Sequence, residues 1–253
     1  MDTCPIRNSR RLLTSMTSTT TTGAGYSAEP GSLYASLVSY WKLDETSDAS
    51  GAVTRVDSVG THNLTDTNTV AHSTSGKIGN CANIEKDNTE SLVRANASAA
   101  ALLGASGSWT FSCWVNPESL ANNDRLASVW ATTGSSNRGW RIVVKSSNQL
   151  KFQASQSGSG GTITTCSPAA GQSTSTWYHF IVQHRNGTDI RLKVDDAAWV
   201  ATSLTGGIEA SNQDFSLGHS FDGLIDEAAF WSKAITDEEC SWLYNGGYGL
   251  SLY

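Results

Sequence analysis

Apolar and polar residues alternate with a period of two along much of the chain beyond residue 38. The segments that share this alternation are 109–117, 140–145, 150–155, 178–182 and 190–194. Side chains of a strand point alternately to opposite faces of its sheet, so the pattern predicts strands with one packed face. Asn186-Gly187 lies between two of these segments and predicts a hairpin turn. Many short strands separated by turn residues favour an all-β fold, a two-sheet antiparallel jelly-roll sandwich.

One short helix is predicted near the C-terminus. Thr236 and Glu239 have the spacing of a capping box, and Asp237 suits the positive end of a helix dipole. Gly246-Gly247 then supplies a stop. The rest of the chain shows no comparable helical pattern.

The first 32 residues differ in composition from the remainder. Residues 14–22 are almost entirely serine and threonine, and glycine and proline follow. Such a segment cannot bury enough apolar surface to fold alone, so we predict an extended N-terminal arm, 1–32, and one domain, 33–253. Arginines at positions 7, 10 and 11 either dock on an acidic partner or belong to a solvated tail. Residues 1–16 lack the apolar core of a cleavable secretion signal.

The charge of the chain argues against a nucleic-acid partner, and its short apolar stretches argue against a membrane span. The net charge is −6 and the 17 basic residues are scattered, which argues against nucleic-acid binding. No stretch approaches the roughly 20 apolar residues that span a membrane. The five cysteines contain no C-x-x-C pair, and we expect most to be free thiols.

Six blocks of sequence resemble a known family, in the family's order. They are VSYWKLDE at 38–45, DSVG with NLT at 57–65, GKIGN at 76–80, WTFSCWVNP at 109–117, WYHFIVQHRNGTDIRLKVDD at 177–196, and 221–247, which contains GLIDEAAFW. Together they resemble laminin-G-like domains of the concanavalin A-like superfamily over about residues 38–249. The resemblance implies two antiparallel sheets packed face to face, often with calcium and often with a carbohydrate or protein ligand.

A calcium site is the first candidate site. Asp226 and Glu227 are adjacent in a predicted strand, so one carboxylate must point inward or toward a sheet edge. A buried carboxylate needs a cation or several hydrogen-bond donors. The resemblance implies a structural Ca²⁺ that ties the first and last strands together at Asp44, Asp57 and Asp226. The alternative is a carboxylate satisfied by backbone N–H groups or an arginine.

A sugar-binding face is the second candidate site. Trp114 alternates with Phe111 and Cys113 and shares a strand face with Thr110 and Ser112. An aromatic ring beside hydroxyl groups suits stacking and hydrogen bonding to a glycan. The alternative is that Trp114 is core on a sheet covered on both faces. The same alternatives apply to Trp130, Trp140 and Trp199.

Catalytic motifs are missing from the sequence. Laminarinase-type hydrolases of this fold use E-x-D-x-x-E, which is absent, as are H-E-x-x-H and G-x-S-x-G. We therefore expect a non-catalytic adhesion or decoration protein. It would bind a glycan or cell-surface polysaccharide on the surface of a virion or other extracellular assembly. The arm would hold it there against a protein partner or a neighbouring subunit, with a homo-oligomer expected. The alternative is a purely structural virion subunit, a capsid decoration or fibre protein without a glycan ligand.

Overall fold

A computed structural model describes residues 31–46, 54–96, 100–102, 104, 107–131 and 136–253. The α-helices are α1 (Gly31–Ala35) and α2 (Asp237–Tyr244). The strands are, in chain order, β1 (Leu37–Trp41), β2 (Thr54–Arg55), β3 (Leu64–Thr67), β4 (Ala71–Ser73), β5 (Cys81–Ile84), β6 (Ser91–Arg94), β7 (Trp109–Pro117), β8 (Arg125–Trp130), β9 (Arg138–Lys145), β10 (Gln149–Ser155), β11 (Ile163–Cys166), β12 (Tyr178–Arg185), β13 (Asp189–Val194), β14 (Val200–Ser203), β15 (Phe215–Leu217) and β16 (Gly223–Trp231). Short 3-10 turns lie at Lys86–Asn88, Ala100–Leu102, Ser146–Asn148, Gly160–Thr162 and Asn245–Gly247.

The strands form two eight-stranded antiparallel sheets. Sheet A has the order β14-β13-β12-β7-β16-β5-β4, and β1 pairs with the end of β16 that β5 leaves open. Sheet B has the order β11-β10-β9-β8-β15-β6-β3-β2. The prediction of an all-β, two-sheet sandwich with one short C-terminal helix is confirmed; helix α1 is an addition that the sequence pattern did not show.

The main core lies between the sheets and is rich in aromatic rings. Trp109 stacks on Phe230 with ring centroids 5.3 Å apart and contacts Trp140 at 4.9 Å. Trp41 stacks on Phe215 at 5.5 Å. Aromatic pairs at these distances add to the stabilisation that burial of their large surfaces provides.

A second, smaller core covers the outer face of sheet A. Leu33 of α1, Leu243 of α2 and Leu252 near the C-terminus pack against residues of sheet A such as Ile181 and Trp231. Strands β7, β12 and β16 are consequently buried on both faces. This differs from the one packed face that the alternation predicted, because polar residues of these strands find hydrogen-bond partners under the covering layer.

Helix α2 begins as predicted from its capping box, but it ends at Tyr244, with Asn245 as its C-cap one residue before the predicted Gly246-Gly247 stop. The Thr236 hydroxyl accepts from the Glu239 N–H at 3.2 Å, and the Glu239 carboxylate accepts from the Thr236 N–H at 2.7 Å. Asn245 closes the helix in the left-handed region, with φ 48°. Ser32 donates to the same Glu239 carboxylate at 2.6 Å, which ties the start of the described chain to α2.

The cysteines of the described residues, Cys81, Cys113, Cys166 and Cys240, are free and buried. Cys4 and the arm up to residue 30 lie outside the described residues. None of the described helices has the length and apolar character needed to cross a membrane.

Candidate functional site

Trp114, the predicted sugar platform, is buried. The residue is only 2% exposed, and its ring packs against the rings of His179 and Tyr244, at centroid distances of 4.8 and 5.8 Å. The ammonium group of Lys77 lies 4.2 Å from the ring centroid. No ring face is left for a sugar, so Trp114 fits the core alternative.

The neighbouring hydroxyl groups are also engaged inside the protein. Thr110 donates to the carbonyl of Lys233 at 2.7 Å and accepts from the Ile235 N–H at 3.1 Å. Ser112 bonds to Nε2 of His179 at 2.7 Å. Burial lowers the pKa of His179 to about 3, aided by nearby lysines, and so holds the ring neutral. This corrects the predicted ligand-binding set: the layer of helices over sheet A buries Trp114, Thr110 and Ser112.

Asp57, one of the predicted calcium ligands, is satisfied by the backbone. Its Oδ1 accepts from the N–H groups of Tyr40, Val59 and Gly60 at 2.9–3.1 Å, and its Oδ2 accepts from His62 at 3.0 Å. Burial opposes the charge, but these donors outweigh it and lower the pKa of Asp57. The residue matches the backbone-donor alternative and shapes the turn between β2 and β3.

The other two predicted ligands, Asp44 and Asp226, lie in one group with Glu227, which we call the carboxyl cluster. It sits at a bulge in β16, where the register shifts and Glu227 has φ 50°. Asp226 is fully buried and accepts from the N–H groups of Ile78 and Glu227, each at 2.9 Å. Asp44 accepts from the Asn80 N–H at 2.9 Å. The loop 76–80 therefore donates to both aspartates.

The carboxyl cluster has more negative charge than its donors compensate. Burial, with a contribution from Asp44, raises the pKa of Asp226 to about 7. Burial and the charges of Asp226 and Asp44 raise the pKa of Glu227 to about 8. The Tyr40 hydroxyl donates to Oε2 of Glu227, whereas the buried Oε1 has no partner among the described residues. The buried oxygen without a donor and the two raised pKa values call for a counter-charge, but within the described residues the oxygens of Asp44, Asp226 and Glu227 do not all come within 4.8 Å of one another, so a bound cation would have to draw them closer.

A second carboxylate group was not predicted. Oxygens of Glu85, Glu118 and Asp222 all lie within 4.8 Å of one another at the end of β5, β7 and β16. Glu118 is exposed and the other two are half-buried. Burial and the two neighbouring charges raise the pKa of Glu118. Exposed acidic groups of this kind are common without an ion, and we assign this one no role.

The outer face of sheet B has no part in the second core and carries a polar row across five strands, β15, β8, β9, β10 and β11. Ser128 and Ser216 share a hydrogen bond of 3.0 Å. Arg141, paired with Ser128 in the sheet, donates from Nε to Gln153 at 2.9 Å, and Gln153 donates to Thr165 at 3.0 Å. The row places hydroxyl, amide and guanidinium groups side by side and bonded to one another, with Ser128, Ser216, Arg141 and Gln153 at most 9% exposed, so a ligand reaches them through the cavities beside the row.

A cavity of about 510 Å³ opens beside this row. We call it the arginine pocket, after Arg125, Arg138 and Arg141, which line it together with Trp130. A smaller cavity of about 160 Å³ shares Arg125 and Trp130 and extends past Ser216. The two form one groove along the sheet.

Trp130 supports the arginines and is not itself a platform. It is only 5% exposed, and the guanidinium carbon of Arg141 lies 4.2 Å from its ring centroid, with that of Arg138 at 5.8 Å. Cation–π contacts of this kind hold the guanidinium groups in place. These arginines were not predicted, because only the register of β8 against β9 brings them together. Their outward positions in alternating strands were the available sign.

Comparisons with known proteins agree with the fold. A family model described as the concanavalin A-like lectin/glucanases superfamily matches residues 87–241. The binding domain of Paraclostridial Mosquitocidal Protein 1 superposes with a TM-score of 0.66 at 16% identity, over 85% of this chain and 53% of that one. A structure of botulinum neurotoxin type C, whose cell entry depends on two ganglioside molecules, gives 0.62 at 12% identity, over 85% and 52%.

A third structure matches over nearly its whole length. Domain 4 of a GH43 extracellular arabinanase from Geobacillus stearothermophilus, in complex with arabinotriose, has a TM-score of 0.54 at 18% identity, over 81% of this chain and 97% of that one. The chain spans only about half the length of the toxin chains. No curated protein sequence matches it. Since the family model covers more than half of the residues, the chain belongs to the concanavalin A-like lectin/glucanase superfamily.

Proposed function

We propose that this protein is a non-catalytic module that binds glycans through the outer face of sheet B. The observation that carries the proposal is the contrast between the two sheets. Sheet A is sealed by helices on its outer face, whereas sheet B presents a groove with an opening of about 510 Å³. Ligand sites are concave and hold a few convergent polar groups, which the row from Ser216 to Thr165 provides.

The solved structures support the class of ligand and leave its identity open. The arabinanase domain was solved with a bound saccharide, and the neurotoxin depends on gangliosides. At 12–18% identity only the fold is shared, so neither sugar is transferred to this chain. Display on a virion or other extracellular assembly, attachment through residues 1–32 and homo-oligomer formation stay predictions.

A structural calcium ion in the carboxyl cluster is part of the proposal. Asp44 and Asp226 would hold it as predicted, and Glu227 replaces Asp57 in the ligand set. Calcium favours carboxylate and carbonyl oxygens, and its charge would offset the repulsion that raises the pKa values of Asp226 and Glu227. The ion would link the end of β1 to β16.

A glycan-array screen tests the proposed function. The full-length protein, screened in calcium and again in chelator, should bind a defined class of glycans. If calcium stabilises the fold, binding should be weaker in chelator than in calcium. Tyr248→Ala is the matched control, because this tyrosine is 82% exposed beyond α2 and could bind sugars non-specifically. Folded protein that binds no glycan in either condition would contradict the proposal and favour the structural-subunit alternative.

A further inference from the structure

Three guanidinium groups converge in the arginine pocket of a protein whose net charge is −6. Arg141 is nine-tenths buried, 9% exposed, and its Nε is bonded to Gln153. Arg125 donates to the carbonyl of Trp130 at 3.3 Å. Within the described residues, neither Arg125 nor Arg141 forms an ion pair with a carboxylate. Arg125 and Arg141 are like charges brought together without a carboxylate partner, which is costly, so this pair calls for an anion.

A second arginine in the same protein shows the compensated version of this arrangement. Arg191 lies 4.1 Å from the ring centroid of Trp199 and donates from Nε to Gln183 at 2.6 Å, as Arg141 does with Trp130 and Gln153. There, however, Asp237 bonds to the Trp199 N–H at 2.6 Å and its charge acts on Arg191. The chain supplies the anion beside Arg191 and does not supply one beside Arg141.

The charge of the pocket extends to its surroundings. Burial lowers the pKa of Arg141 to about 10, with further contributions from Arg125 and Arg138. Burial and nearby arginines also lower the pKa of Lys145, and burial and Arg125 lower that of His219. The groups facing the pocket are therefore predominantly cationic, with Asp214 at the far end of the smaller cavity.

We propose that the arginine pocket binds the carboxylate or sulfate group of an acidic saccharide. The proposal rests on the glycan-binding function proposed above and specifies its ligand class. The planar guanidinium fork matches carboxylate and sulfate oxygens with two parallel hydrogen bonds. The contact with Trp130 and the bond to Gln153 hold Arg141 in place before the ligand arrives. Ser128 and Ser216, in the adjoining cavity, lie where neutral hydroxyl groups of the next sugar would bind.

An acidic saccharide fits these observations better than a nucleic acid does. Nucleic acid binding depends on a row of phosphate contacts along a basic surface. Here three arginines line one pocket of an acidic protein, and hydrogen-bonding side chains such as Ser128 and Ser216 continue along the smaller cavity.

Calorimetric titration of the full chain with matched ligands tests this inference. Trigalacturonate should bind and galactotriose, which lacks its carboxylates, should bind at least about tenfold more weakly. A carrageenan-derived hexasaccharide, which has sulfate groups and no carboxylates, distinguishes sulfate from carboxylate recognition, and a decathymidylate represents nucleic acid. Affinity for the acidic ligands should fall as ionic strength rises.

Three variants connect the binding to the pocket. Arg138→Gln and Arg141→Gln should each weaken acidic-ligand binding by about 10- to 100-fold, since each removes charge-assisted hydrogen bonds. Arg191→Gln, which removes the compensated copy of the arrangement, should leave affinity unchanged. If Arg141→Gln does not fold, as judged by near-UV circular dichroism, Arg138→Gln and the half-buried Arg125→Gln carry the test.

The outcomes separate this inference from the function on which it rests. Equal affinity for trigalacturonate and galactotriose, or acidic-ligand binding unchanged in the arginine variants, overturns the acidic-ligand inference and leaves glycan binding standing. Absence of binding to every saccharide overturns both. Binding of decathymidylate in preference to the acidic saccharides overturns the inference in favour of a nucleic-acid partner.

Discussion

Replacing Asp66 with alanine is expected to lower the free energy of unfolding by about 3 kcal/mol, because it leaves the buried Arg55 charge with only the more distant Glu45, at 3.7 Å, as a carboxylate partner. Arg55 is fully buried and donates to both carboxylate oxygens of Asp66, at 2.9 and 2.8 Å, and to the carbonyl of Val70 at 2.6 Å. Burial disfavours the charge, but Asp66 outweighs it and raises the pKa of Arg55. Urea unfolding followed by tryptophan fluorescence measures the loss.

Two controls separate the buried charge from the loss of contacts. The double variant Arg55→Met/Asp66→Leu should recover most of the stability, since an apolar pair of similar volume removes the uncompensated charge. Arg185→Ala breaks the ion pair with Asp189. Because the Arg185 side chain is 39% exposed, this variant should lower the free energy of unfolding by less than about 1 kcal/mol. If Asp66→Ala costs no more than Arg185→Ala, the buried pair does not stabilise the strand pairing of β2 and β3 in the way described.

Without calcium, the protein is expected to lose stability as the pH rises from about 5 to about 8. In the unfolded chain, the carboxyl groups of aspartate and glutamate release their protons near pH 4. Folded Asp226 and Glu227 have pKa values raised to about 7 and about 8. Between these limits the folded state binds more protons than the unfolded state, so stability falls with rising pH. For Asp226 the full effect is on the order of 4 kcal/mol.

Thermal unfolding in chelator at pH 5, 6.5 and 8 measures this dependence. Asp226→Asn should make the melting temperature depend less on pH. His179, whose pKa is lowered in the folded state, makes stability rise with pH below about 6.5, which is the opposite effect. Because both proteins contain His179, the difference between them reports the carboxyl cluster alone. The charged or titratable groups that act on the pair are Tyr40, Lys42 and Asp44. Calcium at pH 8 should restore the melting temperature of the unaltered protein and have little effect on Asp226→Asn. A pH dependence identical in both proteins would contradict the role given to the cluster.

Much of the fold was predictable because local patterns determine it. Alternation located β7, β9, β10, β12 and β13, and the Thr236–Glu239 spacing located α2. The cover on sheet A was not predictable, since alternation assigns residues to a face but cannot show what packs on it. Thr110 and Ser112 are polar and nevertheless buried, because Lys233, Ile235 and His179 satisfy their hydroxyl groups.

The candidate site was predictable only in part. Asp44 and Asp226 stay predicted calcium ligands, whereas Asp57, which resembles them in sequence, has four backbone donors that its turn supplies. The arginine pocket depends on the pairing of Ser128 with Arg141 and on the shift of register before Trp130. Such pairing is a long-range property that no single segment of sequence contains.

Hydrogen–deuterium exchange with a bound saccharide tests the central claim, that glycans bind on the outer face of sheet B, most directly. The bound ligand is predicted to slow amide exchange in β8, β9, β10 and β15 and to leave α2 and β16 unchanged. Slower exchange confined to α2 and the strands of sheet A, with β8 to β10 unaffected, would contradict the claim and place the ligand on the opposite side of the sandwich.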